Sequence, residues 1–466
     1  MTSIVLLFNL AFLNIAIGYY LITILQWHDY RLIRVLVHFA RYAWHVYFIL
    51  MPLFIYLLIS YKFFIIYMLV FGLPFLYLWY KKLDKKLIFT SKIKVFFALL
   101  AIFIIIGWFY ELIAILPLIA SLVGLNVYDR LINKYYTKKA KNKLKIIKNL
   151  NIILITASFG KTSIKNFLYE FLKDDYICYK TPRSVNTFKG IIKDINENLA
   201  LNTNIYIVEA GAREANDIKI ISEFLNPQIC IIGQIGPAHL EYFKNIENIK
   251  KAKLKALNSN KLQKYFVHSS TGYGEKFYDE NISDIKASLD GLSFDMKIND
   301  KLIHIDTKLL GSFHAFNITA CIKCALYLNI KLEKIIQKAK NLKNIEHRLN
   351  IISKEPKFII DDGFNGNLEG MRASYELCKT YKYKKILITP GIVEVGENTN
   401  IKLCEYINEC FDLAIITGSI NVNILNKHIK IKKIIAKDKK ELINILAQNT
   451  KEKDLILFSN DVPSFM

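Results

Sequence analysis

The sequence lacks a disulfide framework. Its seven cysteines, Cys178, Cys230, Cys321, Cys324, Cys378, Cys404 and Cys410, are odd in number and scattered along 466 residues. That excludes the dense pairing of a stapled secreted domain and fits a reducing cytoplasm. Cys321 and Cys324 form a C-x-x-C, but it lies in the apolar helical stretch Ala320–Leu328, and no second pair stands at zinc-ribbon spacing. We read these as core thiols. Negative charge is also scarce, with 40 acidic against 63 basic side chains and a net charge of +23. Such a balance suits nucleic acid or an anionic membrane surface. The lysines of the later two thirds are scattered rather than striped, and no RNA- or DNA-binding motif is present, so no nucleic acid partner is expected. A cleavable signal peptide is missing too: there is no basic n-region and no small-residue cleavage site. Internal repeats and low-complexity tracts are absent.

What the chain does have is apolar residues, 53% of the total, concentrated in the first third. Ser3–Leu25 carries no charge and is about the length that crosses a bilayer. Further apolar runs cover Val46–Ser60, Phe63–Trp79 and Val95–Val127, the last broken by Gly107 and Glu111 and so read as a hairpin of two short spans. Arg31, Arg34 and Arg41 follow the first run. Lys81, Lys82, Lys85, Lys86, Lys92 and Lys94 follow the third, and Arg130, Lys134, Lys138, Lys139, Lys141 and Lys143 follow the last. The positive-inside rule then gives an outside N-terminus, about five spans (four if the last region is re-entrant), and everything after Val127 in the cytoplasm. Glu111 reads either as an interfacial carboxylate or as a functional one within the membrane.

Beyond Lys145, β-branched runs alternate with amphipathic helical stretches. Strands are predicted at Ile152–Thr156, Asn204–Val208, Ile229–Gly233, Phe358–Asp361, Lys385–Thr389, Leu413–Thr417 and Leu455–Phe458. The expected class is α/β with parallel sheets behind a helical transmembrane region. The predicted organisation is 1–127 transmembrane, 128–150 basic linker, 151–345 nucleotide-binding central domain and 346–466 a smaller Rossmann-like domain.

The first strand runs into Thr156-Ala-Ser-Phe-Gly-Lys-Thr-Ser163. A strand that ends in Gly-Lys-Thr and opens a helix offers backbone N–H groups and a lysine to phosphates. The general P-loop fails here, because Ile155 stands where its first Gly belongs. A shorter Gly-x-x-Gly-Lys-[Ser/Thr] loop fits if Ala157 takes the place of that Gly, at a cost of about 1 kcal/mol should the position need a positive φ. A bare helix start with no ligand remains the plain alternative. Glu209 closes the next strand, at the edge where open α/β sheets keep their sites, and a carboxylate there can either join Thr162 around Mg²⁺ or cap a helix. His239 follows the third strand.

Together with Thr181-Pro-Arg-Ser-Val-Asn-Thr187, Val208-Glu-Ala-Gly-Ala-Arg213, Ile235-Gly-Pro-Ala-His-Leu-Glu241, Gly311-Ser-Phe-His-Ala-Phe-Asn317, Glu346-His-Arg-Leu349, Asp361-Asp-Gly-Phe-Asn-Gly-Asn367 and Thr389-Pro-Gly-Ile-Val-Glu-Val-Gly396, the loop makes the last two thirds resemble the Mur ligases. These are ATP-dependent amide-forming enzymes of peptidoglycan synthesis, and the likeness is to the branch that adds D-alanyl-D-alanine. The resemblance implies ATP and Mg²⁺ as cofactors, with UDP-N-acetylmuramoyl-tripeptide and D-alanyl-D-alanine as substrates. Joined to the apolar spans, which the resemblance does not cover, this gives a bacterial inner-membrane location, with other cell-wall enzymes as candidate partners. By the same resemblance, Ala157, Ser158, Gly160, Lys161, Thr162 and Ser163 hold the phosphates. Thr162 and Glu209 hold one Mg²⁺, and His239 with a carbamylated Lys253 holds a second. Asn317 faces adenine, Arg348 reaches the phosphates from a hinge at Glu346–Leu349, Asp362 takes the ribose, and Asn186 and Thr187 face the muramoyl-peptide. Lys161, Lys253 and His239 are the implied catalytic set. Lys255, Ala315 and Phe364 depart from the family pattern, and a membrane bundle stands where its uridine-binding domain belongs. Alternatives are a folylpolyglutamate-synthase-like ligase, a ligase for a lipid-linked muramoyl substrate, or a non-catalytic cell-wall scaffold.

Overall fold

A computed structural model describes residues 2–28, 30, 35, 43–59, 61–83, 86–110, 114–183, 185–238, 240–364, 366–392, 395–418, 420–436 and 439–460. The chain divides into two compact units, Met1–Tyr135 and Tyr136–Val462.

The first unit is helical. Ile4–Trp27, Phe63–Lys81 and Ser91–Phe109 are each long and apolar enough to cross a membrane, and Ala43–Leu58 is a shorter apolar helix. Their inward seam buries Leu13, Ile17, Tyr20, Phe64, Met68 and Phe96, while Phe54, Phe63, Ile66, Leu69, Phe71 and Ile102 face outward. Apolar residues on every face suit lipid rather than water. The buried Asn14 amide stitches this unit. Its Nδ2 donates to the carbonyls of Leu10 and Ala114, and its Oδ1 accepts from the Leu118 N–H. Gly107 does not break the last apolar run, because it lies buried inside the helix Ser91–Phe109. Glu111 lies outside the described residues. The next helix, Leu116–Ile146, continues through most of the segment read as a basic linker.

In the second unit, β1 (Asn151–Thr156), β2 (Cys178–Lys180), β3 (Ile205–Glu209), β4 (Ile229–Ile232) and β5 (Lys264–Val267) form a parallel sheet ordered β2-β3-β1-β4-β5. Alternate residues of each strand serve two cores, as the two-residue period of a strand requires. Ile153, Ile155, Ile205, Ile207, Ile229 and Ile231 pack on helices Lys161–Leu172 and His314–Tyr327. Ile152, Leu154, Tyr206, Val208 and Cys230 pack on helices Phe188–Glu197, Asp217–Leu225 and Ile246–Leu254. Burial on both faces explains why these strands read as unbroken apolar runs.

An antiparallel sheet of β6 (Ile282–Ser288), β7 (Gly291–Ile298) and β8 (Lys301–Thr307) lays Leu292, Phe294 and Met296 against the first of these cores. The second large sheet comprises β9 (Asn350–Ser353), β10 (Phe358–Asp362), β11 (Lys385–Thr389), β12 (Leu413–Ile416), β13 (Lys432–Ile435) and β14 (Leu455–Ser459) in the order β13-β12-β11-β14-β10-β9. It is parallel except for β9, which pairs antiparallel with β10. The α/β class and parallel sheets are as expected.

Candidate active site

β1 ends and the helix Lys161–Leu172 begins across a tight loop whose turn is made by Gly160, at φ +79°. Only glycine adopts that conformation cheaply, and a Cβ there would also strike the Asn317 amide. Ala157 has no positive φ, so the cost foreseen for an alanine does not arise. Its methyl instead fills the space over Gly233, where a second Cβ would come within 2.9 Å of it. Ser158 fixes the loop to the segment after β4: its N–H donates to the Gln234 carbonyl and its Oγ to that of Gly236. Lys161 folds back, donating to the carbonyls of Ala157 (2.8 Å) and Ser158 (3.1 Å). Burial, only partly offset by the Glu209 charge, pulls its ammonium down to about 8, and the nearby Arg348 acts in the same direction.

Glu209 is the hub of the site. It is 1% exposed, closing β3 beside β1 in the parallel register Ile155↔Glu209. Thr162 Oγ1 donates to its Oε2 at 3.0 Å, Lys165 Nζ stands 3.2 Å from that same oxygen, and Asn186 Nδ2 donates to Oε1 at 3.2 Å. Arg348 Nη2 donates to Thr162 Oγ1 at 3.4 Å. The structure therefore brings together Lys161, Thr162, Glu209, Asn186 and Arg348. Ser163 is buried one residue further along the helix. Thr187 instead caps the helix Phe188–Glu197, accepting from the Gly190 N–H.

Lys253 lies on the buried face of the helix Ile246–Leu254 and is 3% exposed. Desolvation and the neighbouring Lys161 ammonium hold its pKa well below the usual lysine value. His239 lies outside the described residues. Among the described residues no cluster of three His, Cys, Asp or Glu side chains is placed to hold a metal. Lys255 points away from the site, donating to the Ala215 carbonyl and Asn216 Oδ1.

Asn317 is buried beside Gly160, and its Nδ2 meets His314 Nδ1 at 3.3 Å. Burial and the Arg348 charge push His314 down to about 3, so it is neutral. Ala315 is a core residue. In the segment expected to be a hinge, His347 (φ +61°) and Leu349 (φ +47°) flank Arg348 in a left-handed backbone that non-glycine residues rarely adopt. His347 Nδ1 pairs with Asp361 Oδ2 at 2.6 Å, and the Leu349 N–H donates to Asp362 Oδ1 at 3.1 Å. Burial raises Asp362 to about 6 despite Ser374 Oγ and the Leu349 N–H. Phe364 lies under the Arg348 guanidinium, 4.9 Å from ring centroid to Cζ, a contact that needs only the face of the ring.

Sequence reasoning missed Lys165. The signal was present: a lysine four residues after Lys161, on the same face of a helix, among Ile164, Phe167 and Leu168, all of which are buried.

Residues 155–325 match the Mur ligase middle domain. That stretch places a Mur-type ligase domain in the middle of the chain. It is 27% identical over 334 residues to the UDP-N-acetylmuramoyl-tripeptide–D-alanyl-D-alanine ligase of Bacillus subtilis, covering 66% of this chain and 72% of that one. To the Borreliella burgdorferi ligase of the same name it is 27% identical over 263 residues, covering 53% and 56%. The structure of the Thermotoga maritima MurF ligase in complex with ADP superposes with a TM-score of 0.63 at 22% identity, over 71% of this chain and 80% of that one, a likeness of fold. The chain is an ATP-dependent amide ligase of Mur type.

Proposed function

We propose that this Mur ligase adds D-alanyl-D-alanine to a UDP-N-acetylmuramoyl-tripeptide in peptidoglycan precursor synthesis. The observation that carries the reading is the meeting of phosphate loop, strand-end carboxylate, substrate-side Asn186 and hinge arginine around Glu209. The names of its relatives supply the substrates.

In this reading Lys161 leaves its two carbonyls and offsets charge on the ATP phosphates, joined by Arg348. The donors fit one Mg²⁺, since a hydroxyl and a carboxylate 3.0 Å apart match the few protein oxygens that ion takes when phosphates and waters complete its shell. Thr162 and Glu209 would hold it, and its charge would stabilise the transferring phosphoryl group. A second ion would be held by Lys253, once its amine had added CO₂ and released a proton to become an anionic carbamate, with His239 as its companion. Asn317 would meet the adenine and Asp362 the ribose. The tripeptide carboxylate attacks the γ-phosphorus and ADP departs, leaving an acyl phosphate. The amine of D-alanyl-D-alanine then attacks the acyl carbon, phosphate leaves, and the amine loses a proton. Closure about the 346–349 hinge would keep water from the acyl phosphate.

We also propose that the first unit sits in a bacterial inner membrane, with residues 136–462 in the cytoplasm. The three long apolar helices support this. The deciding experiment is phosphate release by purified protein with ATP, UDP-muramoyl-tripeptide and D-alanyl-D-alanine. Release should require all three and vanish in Lys161→Ala. Release indifferent to the dipeptide overturns the assignment, and preference for a lipid-linked muramoyl acceptor would redirect it.

A further inference from the structure

Lys165 is a fully buried cation that the reaction scheme above does not use. Its residue is 1% exposed, and a buried ammonium is costly unless every donor is well placed. Its partners are specific. Nζ stands 3.2 Å from Glu209 Oε2 and donates to the backbone carbonyl of Arg183. Arg183 belongs to the loop Thr181–Thr187 and has φ +43°, a conformation that persists only where its surroundings hold it. The same loop supplies Asn186, whose amide grips the other Glu209 oxygen and whose carbonyl accepts from the Gly211 N–H. The loop's opening residue, Thr181, also accepts from the Glu209 N–H. One carboxylate thus carries the nucleotide-side hydroxyl of Thr162 and, through Lys165 and Asn186, the loop on the acceptor side.

We propose that Lys165 is a positioning residue for the muramoyl-peptide: it fastens loop 181–187 to Glu209 and does not bind phosphate. The substrate named here rests on the proposed ligase reading. Two consequences have opposite signs. Removing the ammonium frees the loop and weakens acceptor binding. It also removes a cation 3.2 Å from Glu209, so a divalent cation binds there at least as well as before.

The test uses the full-length protein in detergent, with Lys165→Met and Lys165→Arg. In Lys165→Met the KM for UDP-muramoyl-tripeptide should rise about tenfold. The KM for D-alanyl-D-alanine and the Mg²⁺ concentration needed to bind a fluorescent ADP should stay level, or the latter should fall. Lys165→Arg should recover part of the acceptor KM. Amide hydrogen exchange of residues 181–187 should quicken in Lys165→Met, whatever the acceptor. A loss of nucleotide binding in step with acceptor binding would make Lys165 a phosphate ligand and overturn the proposal. Unchanged exchange in the loop would overturn it as well. If the methionine variant does not fold, Arg183→Gly loosens the same loop without touching the helix, and it should raise the acceptor KM alone. A level acceptor KM there refutes the proposal. Failure of the wild type to use this acceptor sinks the ligase reading instead, while the exchange measurement still decides the role of Lys165.

Discussion

Asp362 shows how much one buried carboxylate does. Desolvation raises it to about 6, against the pull of Ser374, the Leu349 N–H and Arg348. Between the ordinary carboxylate value and about 6 the folded chain keeps a proton that the unfolded chain has released, so stability falls as pH rises through that window. Asp362→Asn should flatten this slope, as read by urea midpoints at pH 4.5 and 6.5. Ala157 and Gly233 make a second residue-scale case. A methyl on residue 233 would stand 2.9 Å from the Ala157 Cβ and 3.0 Å from Ile164 Cδ1. Gly233→Ala should therefore cost about 1–3 kcal/mol, and Ala157→Gly in the same chain should restore most of it in a double-mutant cycle. That Thr162 and Glu209 would meet was legible, because the loop after one parallel strand and the carboxyl end of its neighbour share one edge of the sheet. The Ala157–Gly233 exchange was not, because it depends on two loops 76 residues apart meeting methyl to methylene. The destination of Lys255 was not legible either, since only the fold shows that the Ala215–Asn216 turn stands within its reach.

At the scale of elements, the buried parallel strands were legible as apolar runs, while β6–β8 were not. In β7 the apolar residues Leu292, Phe294, Met296 and Ile298 alternate with polar ones, the mark of a strand buried on one face. A search for continuous runs passes over it. β2 is three half-buried residues, too short to announce itself. The turn after β11 depends on Asn400, which is fully buried. Its Oδ1 accepts from the Ile392 N–H and its Nδ2 donates to the Ile392 carbonyl, both at 2.9 Å, while Asn421 donates to the Pro390 carbonyl. Asn400→Leu leaves the buried Ile392 N–H without an acceptor, while the Ile392 carbonyl keeps Asn421 Nδ2 at 3.1 Å, and should cost about 1–3 kcal/mol by urea unfolding. Thr187 invites a separation of roles. Thr187→Ser keeps the helix cap and Thr187→Ala loses about 1 kcal/mol of it. A rise in acceptor KM shared by both variants would therefore mark substrate contact rather than capping.

At the scale of the whole molecule, the two units have separate cores. The apolar helices of the first unit were legible from hydropathy, though among the described residues three, not five, are long and apolar enough to cross a membrane. A chain beginning at Tyr136 retains Ala140 and Ile147 in the core beneath β1 and keeps the Lys143 donation to the Ile195 carbonyl. It should fold without detergent and bind ADP, as read by a cooperative melt that shifts upward with nucleotide. Aggregation of that chain under conditions where the full-length protein melts cooperatively would show that the second unit depends on the first.

If Lys161 binds phosphate as proposed, its folded-back side chain makes nucleotide capture by this loop an exchange, not an addition. The ammonium already satisfies two carbonyls, so a visiting anion must outcompete an internal partner before it gains anything. A ligand that also engages the turn amides and the Arg348 guanidinium would be better placed to do so than a lone phosphate, which would meet a lock that is already latched.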